Sequence, residues 1–87
     1  MTEPVRLEVG RIGRAHGLRG EVLVTLTSDR AERLAPGATL DTDDRELVVE
    51  TARPHQHRHL VRFVGVDDRT AAEHLQGAAL YADALPS

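Results

Sequence analysis

Apolar and polar residues alternate in two runs near the start of the chain. Val5, Leu7 and Val9 form the first run, and Val22, Val24 and Leu26 form the second. A period of two is the signature of a strand with one buried face. Strands are therefore predicted over 5–14 and 21–27. Between them Gly10, Gly13, Gly17 and Gly20 are interleaved with Arg11, Arg14, His16 and Arg19. Gly17 and Gly20 supply the positive φ that a tight loop needs and that other residues adopt at a cost. The loop tip then presents His16, Leu18 and Arg19 outward.

The rest of the chain continues in short apolar segments separated by turn residues. Ser28-Asp29 offers a helix cap, and residues 30–34 have room for one helical turn. Pro36-Gly37 breaks that turn, and a short strand follows over 39–42. Asp43-Asp44-Arg45 reads as a turn and 46–53 as a strand around Leu47-Val48-Val49, ended by Pro54. A polar turn at 55–58 leads to a strand over 60–65. Thr70 and Glu73 have the spacing of a capping box, with Asp68 as the competing cap. Ala71, Ala72 and Leu75 supply the inner face of this helix, Gly77 its terminator, and 78–81 a last strand. Several short strands at near-regular spacing predict a small antiparallel all-β domain with one short helix.

Two motifs give this pattern a family likeness. The segment AHGLRGEV, from Ala15 to Val22, resembles the signature loop of the RimM family of ribosome maturation factors. Val64-Gly65-Val66-Asp67-Asp68-Arg69, then Ala71-Ala72-Glu73, Leu75-Gln76-Gly77 and Leu80-Tyr81, resembles that family's late strand, helix and final strand. Ala35-Pro36-Gly37 with Leu40 resembles its turn into the third strand. The resemblance implies a six-stranded antiparallel β-barrel similar to the second domain of translation elongation factors. It implies a RimM N-terminal domain over 1–82, the start of an interdomain linker over 83–87, and a C-terminal PRC-type barrel beyond this chain. The implied role is a non-enzymatic assembly factor. Such a factor binds the immature small ribosomal subunit, aids assembly of its head and supports ribosomal RNA processing. Ribosomal protein S-nineteen is the implied protein partner, contacted mainly through the C-terminal module, with ribosomal RNA as a further partner. No cofactor follows. The competing class is a structural β-barrel module of an enzyme or translation factor, which would not bind immature subunits. Relatives often carry a proline and an aromatic where Ala31 and Leu34 stand here, so an aromatic contact from that segment is not expected.

Composition sharpens this reading. The chain has 87 residues, enough for one small core, and the aromatic residues are Phe63 and Tyr81. It has no cysteine, which excludes disulfides and cysteine-ligated zinc. It also lacks a long apolar run, and a cytoplasmic location is expected. The net charge of −3 argues against a nonspecific polyanion binder. All 11 basic residues other than histidine are arginines, a residue able to make paired hydrogen bonds to phosphate or carboxylate.

The glycine loop lacks the GK[ST] ending of a nucleotide-binding loop and does not open a helix. It is expected instead to carry a contact surface formed by Arg14, His16, Gly17, Leu18, Arg19 and Gly20. His55, His57 and His59 alternate, but they follow a proline and sit in a predicted turn without a carboxylate to orient them; no metal site is expected. Asp43-Asp44 and Asp67-Asp68 are adjacent along the chain, an arrangement suited to capping amides rather than to acid–base work across a cleft. No serine or threonine stands in a nucleophile–base context, so no catalytic residue is expected.

Overall fold

The computed structural model describes residues 6–27 and 31–83. Six strands run β1 (Arg6–His16), β2 (Glu21–Leu26), β3 (Thr39–Asp41), β4 (Glu46–His55), β5 (Arg58–Phe63) and β6 (Ala79–Asp83). A one-turn 3-10 helix, Ala31–Leu34, precedes β3, and the short helix α1, Arg69–Glu73, precedes β6. The predicted cap at Ser28-Asp29 lies outside the described residues. β6 takes in Asp83, paired with Arg6, so the first residue assigned to the linker belongs to the sheet.

The strands pair antiparallel in the order β1-β2-β5-β4-β3-β6, and β6 pairs with β1 to complete the ring. The expected fold class needs correcting in form. The six-stranded antiparallel sheet and the short helix are present, but the sheet does not close through a continuous ladder. Its seam is one residue pair, Asp41 opposite Tyr81. The reason lies in β3, which has three residues and gives its register to β4 before turning at Asp43-Asp44. The result is a six-stranded ring closed at a thin seam, and this thin closure is what qualifies the six-stranded β-barrel that the family resemblance implies.

Inside the roll, alternation places Val22 and Val24 of β2, Leu47 and Val49 of β4, and Val61 and Phe63 of β5 in one cluster. Ile12, Leu34, Leu40, Val66, Leu75 and Leu80 fill most of the remainder, with Val9, Ala15 and Ala72 beside them. Each such side chain contributes about 1.5–3 kcal/mol by leaving water, which is how a core with a single phenylalanine suffices. Gly10 marks a bulge in the β1–β6 register, and a β-carbon there would sit 2.7 Å from the Thr25 carbonyl oxygen. The bulge thus lets β1 pass close to β2.

Two local expectations are overturned. Pro54 does not end β4, which continues to His55 opposite Arg58. β3 pairs with β4 only from Glu46 to Val48, so beyond that point the other edge of β4 is open and a missing N–H breaks no ladder. The helix is capped by Asp68, whose carboxylate accepts from the Ala71 N–H at 2.8 Å, and not by a Thr70–Glu73 box. Asp68 starts the helix at Arg69, and Glu73 is engaged by Arg69 at 3.3 Å. After α1 the chain turns at Gly77, whose N–H donates to the Ile12 carbonyl, and enters β6.

Candidate functional site

The loop from Gly17 to Gly20 joins β1 to β2 just beyond the His16–Glu21 pair. Both glycines have positive φ, +72° and +91°. Their surroundings differ. Gly17 faces open space, whereas Gly20 is buried against the backbone of Val66 and Asp67. On the other side, the Arg69 guanidinium donates to the Gly17 carbonyl oxygen at 3.2 Å while its Nε donates to Glu73 at 3.3 Å. The loop is therefore held at one end by the segment that leads into α1 and at the other by the first residue of that helix. Val66 anchors that segment in the core, and Asp68 fixes the first turn of the helix.

This arrangement leaves four side chains outward. Arg14, His16, Leu18 and Arg19 are exposed, and Leu18 is 77% exposed, well above Val64 and Leu7, the other exposed large apolar residues among those described. Among the described residues, no carboxylate pairs with Arg14 or Arg19. By contrast Arg53 is paired with Glu21, and Arg62 with both Glu50 and Asp67. The loop thus combines one exposed aliphatic side chain with two uncommitted guanidinium groups, on a backbone whose conformation is fixed. Such a surface can dock and orient a partner. It holds no nucleophile beside a base.

The three alternating histidines separate in space. The two-residue turn Gln56-His57 has φ of +46° and +68°, which interrupts the strand between His55 and His59. His59 faces inward between Val24 and Pro54, with its Nδ1 buried and without a hydrogen-bond partner. His55 faces outward, and its ring centroid lies 5.4 Å from that of His16. Among the described residues, no group of three histidine or carboxylate side chains has the geometry to hold a metal ion. Asp67 and Asp68 also divide: one pairs with Arg62 at 2.6 Å, and the other caps α1. Asp44 accepts from the buried Thr42 hydroxyl at 3.0 Å within the β3–β4 turn.

Reasoning from sequence located the loop but missed two of its supports. Arg69 is fifty-two residues from Gly17, and only its place in the Asp67-Asp68-Arg69 motif singled it out. The His16–His55 contact joins strands that are not neighbours in the sheet, and no local pattern encodes it.

Fold and site together define a small all-β domain: a rolled sheet that presents one arginine-bearing loop packed on the turn before α1. Residues 7–85 match the RimM N-terminal domain model, and the chain belongs to that family. It is 50% identical over 86 residues to the ribosome maturation factor RimM of Streptomyces coelicolor, an alignment covering 94% of this chain and 46% of that protein. The RimM of Acidothermus cellulolyticus is 53% identical over 81 residues, covering 91% and 46%. The chain therefore spans about half the length of the curated relatives it matches. The N-terminal domain of RimM from Thermus thermophilus superposes with a TM-score of 0.78 at 26% identity, covering 93% of this chain and 95% of that one. A RimM protein from Pseudomonas aeruginosa gives 0.76 at 27% identity, covering 90% of this chain and 50% of the other.

Proposed function

We propose that this chain is the subunit-recognition domain of a ribosome maturation factor. It binds the immature small ribosomal subunit in the cytoplasm and favours one conformation of the particle by its differential affinity for it. Assembly of the subunit head and processing of the small-subunit ribosomal RNA are supported indirectly, and the chain itself breaks no bond. The domain's last strand ends at Asp83, and the residues after it lead toward a second module. Ribosomal protein S-nineteen is contacted mainly through that module.

The observation that carries this reading is the rigid loop. Among the described residues no carboxylate pairs with Arg14 or Arg19, and Leu18 lies between them in sequence at 77% exposure. A small apolar contact flanked by guanidinium groups suits a ribonucleoprotein surface, where phosphate and protein lie side by side. Family membership over residues 7–85 supports the partner class.

Co-sedimentation of the chain with precursor small subunits tests the reading. Arg14→Ala combined with Arg19→Ala is expected to weaken binding at moderate salt by about tenfold or more. Leu18→Ala weakens it further. Unchanged binding by the double variant would remove the loop as the contact. Binding to mature and precursor subunits with equal affinity would remove the maturation role.

A further inference from the structure

The β4–β5 hairpin turn stands beside the loop, and nothing above assigns it a role. His16 and His55 bring the two elements together, with ring centroids 5.4 Å apart and planes tilted by 58°. Next to His55 is a cleft of about 210 Å³ lined by Leu23, His55, Gln56 and Arg58. Its surroundings have three features that point to a ligand.

The first is an apolar floor on the wrong side of the sheet. Val61 and Phe63 face the core, so Leu60 faces outward, yet it is only 1% exposed and lies outside the core cluster. Its cross-strand neighbours are Leu23 on β2 and Arg53 on β4. The second is charge. Arg58 is exposed and, among the described residues, pairs with no carboxylate, whereas neighbouring Arg53 is neutralised by Glu21. This end of a chain with net charge −3 is thus locally cationic. The third is backbone. Gln56 and His57 keep side chains at the two positive-φ positions of this hairpin turn, where asparagine and glycine are favoured, at a cost to stability that the turn alone does not require.

We infer that this cleft, formed by Leu23, His55, Gln56 and Arg58 with His16 at its edge, is a second contact site that takes a single strand of RNA. Arg58 meets a phosphate, and a base lies against the imidazole of His55 over Leu23, which Leu60 backs from the neighbouring strand. Histidine rings and guanidinium planes both serve as stacking platforms for unpaired bases. A cleft of this size admits one flat ring, not the side of a duplex. The inference rests on the reading proposed above, because His16 makes the cleft continuous with the recognition loop.

The test uses the 87-residue chain and three probes: a ten-nucleotide single-stranded RNA, the same RNA annealed to its complement, and poly-glutamate of matching charge. Amide chemical shifts locate each contact, and fluorescence anisotropy gives the affinity. The single strand is expected to shift Leu23, His55, Gln56 and Arg58. Arg58→Ala should lower its affinity about fivefold to tenfold, and the salt slope should fall by about 0.7, one phosphate contact on a single strand. His55→Ala should weaken binding without changing the slope. Arg45→Ala, a charge control on the β3–β4 turn, should do neither. Shifts confined to residues 14–19, equal shifts from poly-glutamate, preference for the duplex, or an unaltered slope in Arg58→Ala would each overturn the proposal. The loop reading fails separately, by retained subunit binding in the Arg14→Ala, Arg19→Ala variant.

Discussion

Gly17 and Gly20 provide a matched pair for separating two reasons a loop needs glycine. Both have positive φ, +72° and +91°, and both stand in the same β1–β2 connection. Replacing either by alanine forces an L-residue into the left-handed region, which costs about 1–2 kcal/mol. At Gly17 the cost ends there, because an added β-carbon has nothing within 4 Å. At Gly20 the same carbon would lie 2.8 Å from the Val66 carbonyl carbon and closer still to its oxygen. Backbone cannot swing aside as a flexible side chain can. Val66 is also tied into the core at 3% exposure, so relief requires the loop or the turn before α1 to shift. Forced overpacking of this kind adds about 1–3 kcal/mol. Gly17→Ala should therefore destabilise the fold by about 1–2 kcal/mol and Gly20→Ala by about 2–5 kcal/mol.

Urea denaturation followed by circular dichroism measures both. A domain of 87 residues has a stability of about 4–13 kcal/mol, so Gly17→Ala remains folded while Gly20→Ala approaches the threshold. In thermal melts, each kcal/mol corresponds to about 4–8 °C at this size. Equal destabilisation by the two substitutions, with unchanged m-values, would refute the close approach of the loop to Val66. If Gly20→Ala were too unstable to measure in buffer, the same pair of alanine variants in the presence of a stabilising osmolyte would rank the two positions.

Three further predictions test local claims. Gln56→Asn with His57→Gly should raise stability by about 1–2 kcal/mol, because Asn-Gly is the favoured pair for a two-residue turn with both φ positive; no gain in the urea midpoint would contradict the turn geometry. Asp68→Ala should cost about 1 kcal/mol and Thr70→Ala much less, since only Asp68 caps α1; the reverse ranking in chemical denaturation would restore the capping box. Arg69→Ala should change global stability by less than about 1 kcal/mol, as expected of exposed contacts. It should nevertheless speed amide exchange in residues 17–19, and exchange as slow as in the parent chain would show that Arg69 does not hold the loop.

Much of this architecture is legible because strands with one buried face must alternate. Val22 and Val24 could be read directly, and both are fully buried. Boundaries were less legible where tertiary context decides them. Pro54 normally ends a strand, yet here it stays in β4 because β3 is too short to reach it. Gln56-His57 carries none of the glycine or asparagine that announces a hairpin with positive φ, so composition marked a turn without its type. Thr70 and Glu73 matched one capping pattern while Asp68 matched another, and spacing alone could not choose. The loop was legible as a loop, but its stiffness was not. That property comes from Val66 and Arg69, which reach it through the fold and not along the chain.

That stiffness bears on what the loop can do. A mobile loop bearing Arg14, Leu18 and Arg19 would have to be ordered on binding, at about 0.5–1.5 kcal/mol for each immobilised side chain in addition to its backbone. Here the backbone is ordered during folding. Gly20 packs on Val66, the Gly17 carbonyl is held by Arg69, and Asp68 fixes the first turn of the helix from which Arg69 extends. The two glycines thus have opposite tasks. Gly20 lets the loop come down onto the turn before α1, and Gly17 lets it turn away again toward Leu18. The exposed side chains keep their own rotamer freedom, but their starting points are fixed relative to the core. A small, net-acidic domain with few aromatic anchors gains little affinity from area or overall charge. Preorganisation of a few guanidinium groups is the means this fold leaves to it, and the supports of the loop should matter to binding as much as the residues that touch the partner.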